Sequence, residues 1–475
     1  MIKKFTLLVI GMVLLSINLH AQFNSVENLK KTAISASTGE KPQSKVWTYA
    51  CEHWAVFPNA DGTFLWQLNG TSWSKKLKLS PSTTSKADCK VIGNVTHILL
   101  FQGTSSQLVS LEYNTSSNSY RLWGPRAATV SITLDADVET ATIDVDGNGR
   151  MWLASDGLDK INVRWSDAPY TEWSGAITLA TGINIDDIGA VVALPGKVGV
   201  FWSDQNRKQF GFRTHEDGTN PTVWSKDEVP ASQAARDVGK GMANDHINMA
   251  VASDGTLYCA IKTEFRLEFE KLPYPLLGLL VRRPSGKWDD LYDVTKTGTR
   301  PIVLLNEKLN KIRVVYTSDD PGGDIIYKES STSDIIFREP IMLIKGFYND
   351  VTSSKDSVGS EVVILASNKN NLVGVLASDI PDPTDICNMR EMFLAYPNPF
   401  NVTSTLLFNF KHETEYALVL YDSKGAKVAT VGKGKSGAVI QNTLEFNGDS
   451  LARGLYILKL HTSTNNRYLK LIKEN

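Results

Sequence analysis

The chain has 475 residues, 42% of them hydrophobic and 21% charged, which allows two or three globular domains with a sizeable core. A formal net charge of -1 excludes a generally basic binder of nucleic acid or of anionic membrane. The 4 Cys (Cys51, Cys89, Cys259, Cys387) are scattered, so neither a disulfide framework nor a CxxC metal site is expected, and pairing of Cys51 with Cys89 is the alternative to four idle thiols.

At the N-terminus, Lys3 and Lys4 precede the apolar run FTLLVIGMVLL, and SINLHA leads into polar sequence at Gln22. A short basic region, an apolar stretch too short to span a bilayer and a small residue before the cut predict a signal peptide over 1–21. No other apolar run approaches transmembrane length, so the mature protein is expected to be exported, without a membrane-spanning segment and monomeric.

From about residue 45 to 380 one theme recurs. The second strands of its units read HWAVFPN, THILLFQG, RMWLASDG, VGVFWSDQ, LYCAIKT, IRVVYTSD and VVILASN. Third strands such as TFLWQLNG, INVRWSD and NLVGVLAS follow, and in six units a fourth segment such as SWSKKLKL or KWDDLYDV. These short runs, rich in Val, Ile and aromatics and cut by Gly, Asn, Asp and Ser, are strands joined by tight turns. Their spacing of roughly 45 to 50 residues is that of four-stranded blades and predicts a seven-bladed β-propeller; two stacked β-sandwiches are the alternative. The seventh unit stops after its third strand, near Asp379. An open edge would invite pairing with other chains, so a stretch of KKTAISAST (residues 30–38), within the N-terminal segment 22–44, is the candidate closing strand.

A proline-bearing linker, 381–393, precedes a second unit over 394–475. Its strands (TLLFNF, YALVLYDSKGAKVATV, LARGLYILKL, RYLKLIK) predict a small C-terminal β-sandwich, so the whole chain is expected to be all-β. PNPF, DSKGAKV, LARGLYILKL and RYLKLIK in this order closely resemble the type A C-terminal sorting domain of the bacterial type IX secretion system. That resemblance implies export across the outer membrane by the type IX machinery, then release or attachment at the cell surface.

In a propeller the first strand of each blade lines the central channel. The residues where these strands start are Lys45, Lys86 with Asp88, Glu139, Asp187, Asp245 with His246, Arg300, and Lys355 with Asp356. This ring of mixed sign suits a ligand bearing carboxylate or sulfate, with Arg300 as bidentate partner; mutual pairing of the charges is the alternative. His246 is the best single candidate for acid–base chemistry, with Tyr258 and Lys262 on the next strand. DHINMAVASDGTLYCAIKT resembles a blade of propeller-type polysaccharide lyases, although the second histidine which that pattern places near position 266 is missing. WSDAPYTEWS and THEDGTNPTVWS resemble the Asp boxes of sialidase-like (BNR-type) propellers, turns that support a fold and imply no activity. DVDGNGRMW begins like a calcium loop, but Ser155 stands where the twelfth-position carboxylate belongs, so a hairpin turn is the reading and calcium the minor alternative. No other cofactor and no metal site is expected. Trp123 and Trp165 are candidate stacking faces for sugars. The expected function is polysaccharide binding at the channel mouth, with a polysaccharide lyase or glycoside hydrolase using His246 and Arg300, or a protein-interaction scaffold, as alternatives.

Overall fold

A computed structural model describes all residues outside 1–21, 40, 232–241, 266–274, 380–392, 411–412, 438–439, 464–465 and 475. The expected leader therefore lies outside the described residues, as does the linker up to residue 392. The protein is all-β: the one-turn helix Gly124–Arg126 is the only helical element among the described residues. Among the described residues no helix is long and apolar enough to cross a membrane.

Residues 25–378 form successive antiparallel strand sets. The first set is Val46–Tyr49, Glu52–Asn59, Gly62–Asn69 and Ser72–Ser80, hydrogen-bonded in that order. The second starts at Lys86–Ile92, and its third strand, Ser105–Asn114, pairs with both Ser119–Leu122 and Val130–Thr133. The third runs Ala141–Val145, Met151–Gly157, Lys160–Ser166, Ile177–Thr181. The fourth has three strands, Gly189–Leu194, Lys197–Asp204 and Gln209–Glu216; its expected fourth segment makes only the isolated bridge Phe212–Glu228. The fifth runs from Ile247–Val251 to Tyr292–Thr295.

The sixth and seventh sets, which the sequence suggests are separate, share one strand. Ile341–Thr352 pairs through its first part with Gly323–Ser331 and through its end with Glu361–Asn368. Both sets thus belong to one eight-stranded sheet. The outer partner of Asn371–Ser378 comes from the other end of the chain: Ser25–Asn28 pairs along Val375–Ser378, and Thr32–Ala33 along Asn371–Leu372.

Side chains alternate along a strand, and here both faces are covered. Ile302, Leu304, Val362 and Ile364 share a core between the sixth and seventh sets, whereas Val303 and Leu305 face the fifth. Val363 and Leu365 face the first set, packing with Val46, Phe57 and Trp66, together with Leu29 and Ile34. Each consecutive pair of sets shares such a core, and the last shares one with the first. Burial on both faces explains why the second strands read as near-continuous apolar runs with no polar alternation. The free edges of the first strands are laced to their neighbours by short polar side chains. Ile143 N donates to Asp88, Val191 N to Thr142, Ala193 N to Asp144 and Val303 N to Asn248, at 2.8–3.0 Å. Buried backbone N–H groups demand partners, and these residues supply them.

The C-terminal unit has a three-stranded sheet (Phe393–Tyr396, Thr403–Phe408, Asn442–Asn447) and a four-stranded one built on Thr414–Asp422 and Gly454–Thr462. Phe400, Phe408, Leu418, Leu420, Leu458 and Leu471 form their common core. The four-idle-thiol expectation is corrected at Cys51, which is disulfide-bonded; Cys89 and Cys259 are free and buried, which rules out a Cys51–Cys89 bridge.

Candidate functional site

Three carboxylates meet where the chain turns into the first strands of the third, fourth and fifth sets. Glu139, Asp186 and Asp245 each offer an oxygen within 4.8 Å of the others. Their turns are braced from below. Asp156 accepts from Glu139 N and Thr140 N at 2.7 and 2.9 Å, and Asp187 accepts from Asn184 N at 2.8 Å and Gln205 N at 2.9 Å. The Nζ of Lys41 bonds both Glu139 and Asp245. Burial works against the Lys41 charge, but Asp245 and Glu139 outweigh it and raise its pKa. Burial raises Glu139 against the opposing pull of Lys41, and burial followed by the Asp245 charge raises Asp186.

His246 adjoins this group. Its Nδ1 lies 2.8 Å from Asp245 Oδ1 and 2.7 Å from Asn244 Oδ1. Both partners are acceptors, so Nδ1 carries the proton and Nε2 the lone pair. Burial lowers the imidazole to about 4 although Asp245 pulls the other way, so the ring is neutral at neutral pH. Its Nε2 is buried without a partner.

His246 lines a small cavity together with Gly39, Lys41, Arg300 and Asp350, with a free volume of about 10 Å³, room for a single water. Arg300 Nε reaches Asp350 at 3.2 Å; its Nη1 has no hydrogen-bond partner, the nearest carboxylate being Asp320 at 3.7 Å. Lys41, Arg300 and Asp350 all hold left-handed backbone, with φ of 46°, 50° and 57°. Such conformations are costly for residues with a Cβ and gather where geometry matters for function. Gly39 is required by space: a Cβ there would lie 2.5 Å from that of Asp350.

Most strand sets thus bring an ionisable group to this end, but not always the expected one. Glu139, Asp245, His246 and Arg300 are there, and Lys86 stands near enough to feel the charges of Asp350 and Glu139. Asp187 is turned away, bracing its loop, and its neighbour Asp186 takes the place. Lys45 is buried, its Nζ 3.1 Å from Ala87 O, and burial lowers it to about 8. Lys355 bonds Asp88 at 2.6 Å and Ile143 O at 2.8 Å. These two, with Asp88, Lys90, Asp144 and Asp356, make a second layer farther along the first strands, where the charges pair with one another. Lys41 and Asp350 stand beside Glu139, Asp245 and Arg300 instead. Tyr258 is also remote: it pairs across from Ala250, whereas Lys262 N bonds His246 O. Lys262 Nζ bonds Thr299 and lies 3.5 Å from Asp320.

Both candidate stacking residues are half-buried and already hold a partner on the ring. Trp123 packs on Tyr170 at 6.0 Å between ring centroids, and the Arg150 guanidinium covers Trp165 at 4.2 Å. In the DVDGNG turn, Asp146 accepts from Asn148 N, Arg150 N and Trp152 Nε1, so its carboxylate serves the hairpin.

Residues 394–474 match the family described as the secretion system C-terminal sorting domain. This domain marks proteins exported by type IX secretion to the cell surface or the extracellular space, and the protein is one of these. No curated protein matches the chain. Among solved structures, an ulvan lyase of polysaccharide lyase family 25 is 10% identical with a TM-score of 0.46, over 74% of this chain and 96% of its own. The polysaccharide lyase Uly1 is 8% identical with a TM-score of 0.43, over 72% and 90%. The AfRom2 CNH domain is 8% identical with a TM-score of 0.44, over 75% and 100%. At this level the likenesses carry no argument about activity.

Proposed function

We propose that the protein is an exported seven-bladed β-propeller that binds an anionic polysaccharide at the end of its central axis where His246 and Arg300 meet. The seven blades are the seven strand sets, and the cyclic succession of shared cores supports that reading. One observation carries the binding site: His246 Nε2 and Arg300 Nη1, a bare acceptor and a cationic donor, are both buried without hydrogen-bond partners, and both residues line the same cavity. Unpaired buried polar groups are costly, and a ligand hydroxyl beside a carboxylate or sulfate satisfies both. The cavity admits one polar group, so the rest of the polymer lies across the mouth.

The test is calorimetric titration of the mature protein with uronate-containing, sulfated and neutral polysaccharides. Binding of an anionic polymer that falls at least tenfold in Arg300→Ala supports the reading. No binding of any anionic polymer, or equal affinity in the variant, sinks it. The His246 geometry also favours a second reading, β-elimination. Nε2 would take the proton α to a uronate carboxylate neutralised by Arg300, a C=C bond forms as the C–O bond to the leaving sugar breaks, and water protonates the departing oxygen. The unsaturated product absorbs in the ultraviolet; no absorbance on any uronate polymer removes this reading and leaves binding.

A further inference from the structure

We infer that the outward face of the four-stranded sheet in the C-terminal unit is the surface by which the type IX machinery holds this protein, and that it meets there a protein patch of apolar side chains set among carboxylates. The family match over 394–474 establishes the route of export but not which face is read, and the inference is independent of the glycan reading. The sheet is ordered Lys427–Ser436, Thr414–Asp422, Gly454–Thr462, Asn466–Lys473, and Leu418, Leu420 and Leu458 point from it into the core. The other face of such a sheet is ordinarily polar. The neighbouring sheet keeps to this where Leu406 and Leu444 pair on the core side and Thr405 and Glu445 pair on the outer one.

The four-stranded sheet does not. Residues directly opposite across a strand pair share a face, so the register gives the outward set. Tyr421 pairs with Ile457, Val419 with Lys459, Lys459 with Tyr468, Ile457 with Lys470 and Leu455 with Ile472. YALVLY and LYILKL are therefore apolar on both faces, the pattern of strands that are covered on both sides. Leu455, Ile472 and Tyr468 are 42%, 43% and 63% exposed and share this one face, whereas exposed apolar residues are ordinarily scattered singly. Charge is one-sided too. Lys427, Lys433 and Lys435 stand opposite Tyr421, Ala417 and Glu415, so the outward positions of these strands carry five lysines and one carboxylate. Lys459 and Lys470 lie inside the apolar field. Entry of this face into lipid would carry their ammonium groups into hydrocarbon, whereas a protein sets a carboxylate against each.

The full-length protein is produced in cells that have the type IX machinery, and the amount reaching the surface and the medium is measured against the amount retained behind the outer membrane. Lys459→Glu with Lys470→Glu, and separately Ile457→Gln, are expected to lower export by roughly tenfold or more. Lys459→Arg with Lys470→Arg, which keeps the charge, and Glu445→Lys on the other sheet are expected to export as wild type. Hydrogen exchange over residues 414–473 of the purified proteins checks that the sheet is intact; where the charge reversal loosens it, Lys459→Gln with Lys470→Gln is judged in its place. Wild-type export in both the lysine and the Ile457 variants overturns the proposal, as does an equal loss in Glu445→Lys. Binding of the purified protein to vesicles of anionic lipid or lipopolysaccharide that the charge reversal abolishes while export persists assigns the face to lipid and overturns it as well.

Discussion

The side chain of Asn398 completes the edge of the final strand: its amide donates to Lys470 O at 2.7 Å and accepts from Ile472 N at 2.9 Å. Pro397 and Pro399 have no N–H to offer, so the side chain stands in for the backbone where the chain cannot pair. Phe400 then resumes pairing, donating to Ile472 O, and enters the core. Asn398→Ala is expected to cost about 1 kcal/mol, a roughly fivefold loss of protection at the Ile472 amide. Native-state hydrogen exchange reads this directly, and unchanged protection at Ile472 would show that Asn398 contributes nothing to the edge.

Arg313 and Asp379 are 1% and 2% exposed and joined by two hydrogen bonds, at 2.9 and 2.5 Å. Burial would raise the Asp379 pKa, but Arg313 and Lys311 hold it below its usual value. Removing one partner of a buried pair strands the other charge, at a cost of about 3–5 kcal/mol. Arg313→Met should lower the denaturant midpoint accordingly, while Arg313→Met with Asp379→Leu should recover much of the loss. A double variant as unstable as the single one would argue against the stranded charge as the cause.

His97 and His246 are both lowered to about 4, mainly by burial. Their folded values lie below the unfolded value of about 6.5, so the unfolded chain binds more protons between these limits. The stability they contribute is complete above about pH 6.5 and is lost as pH falls toward 4. Thermal unfolding should show Tm declining over that interval, with a shallower decline in His97→Gln/His246→Gln. Identical slopes would mean that other groups dominate the acid limb.

At Gly39 an added methyl meets Asp350, itself in left-handed backbone and bonded to Arg300. Gly39→Ala should therefore displace Asp350 or the 38–41 segment and weaken anionic-polymer binding several-fold, with a Tm change within about 2 °C if strain stays local. Affinity equal to wild type would mean that this close approach does not shape the mouth.

Much of the strand pattern is readable because burial on both faces writes it in apolar runs: VVILASN and IRVVYTSD each supply residues to two different cores. The shared strand Ile341–Thr352 is less legible, since nothing in FREPIMLIKGFYND marks where one partner gives way to the next. At the mouth, aligning units by their turns locates Glu139, Asp245, His246 and Arg300. It cannot choose between Asp186 and Asp187, because loops have no fixed side-chain period. Lys41 carries no local signal at all. Its place depends on how the segment ahead of the first strand set crosses to the third and fifth, where Gln43 Nε2 bonds Ala141 O and Lys41 meets Asp245. The bonded state of Cys51 was not legible because the spacing of cysteines along a chain does not report which of them are close in the fold.

Phe23 stacks on the Arg313 guanidinium at 3.8 Å and donates its N–H to Tyr327, 304 positions later, while Asp379 grips the same arginine from the other side. The two limits of the cargo therefore meet on one residue. A polypeptide that leaves the ribosome or a translocon from its head cannot lock this clasp until its far limit has emerged. Contacts of such long range close late and slowly. A chain cut short of Asp379 therefore lacks one half of this two-ended contact, however complete its other strands are.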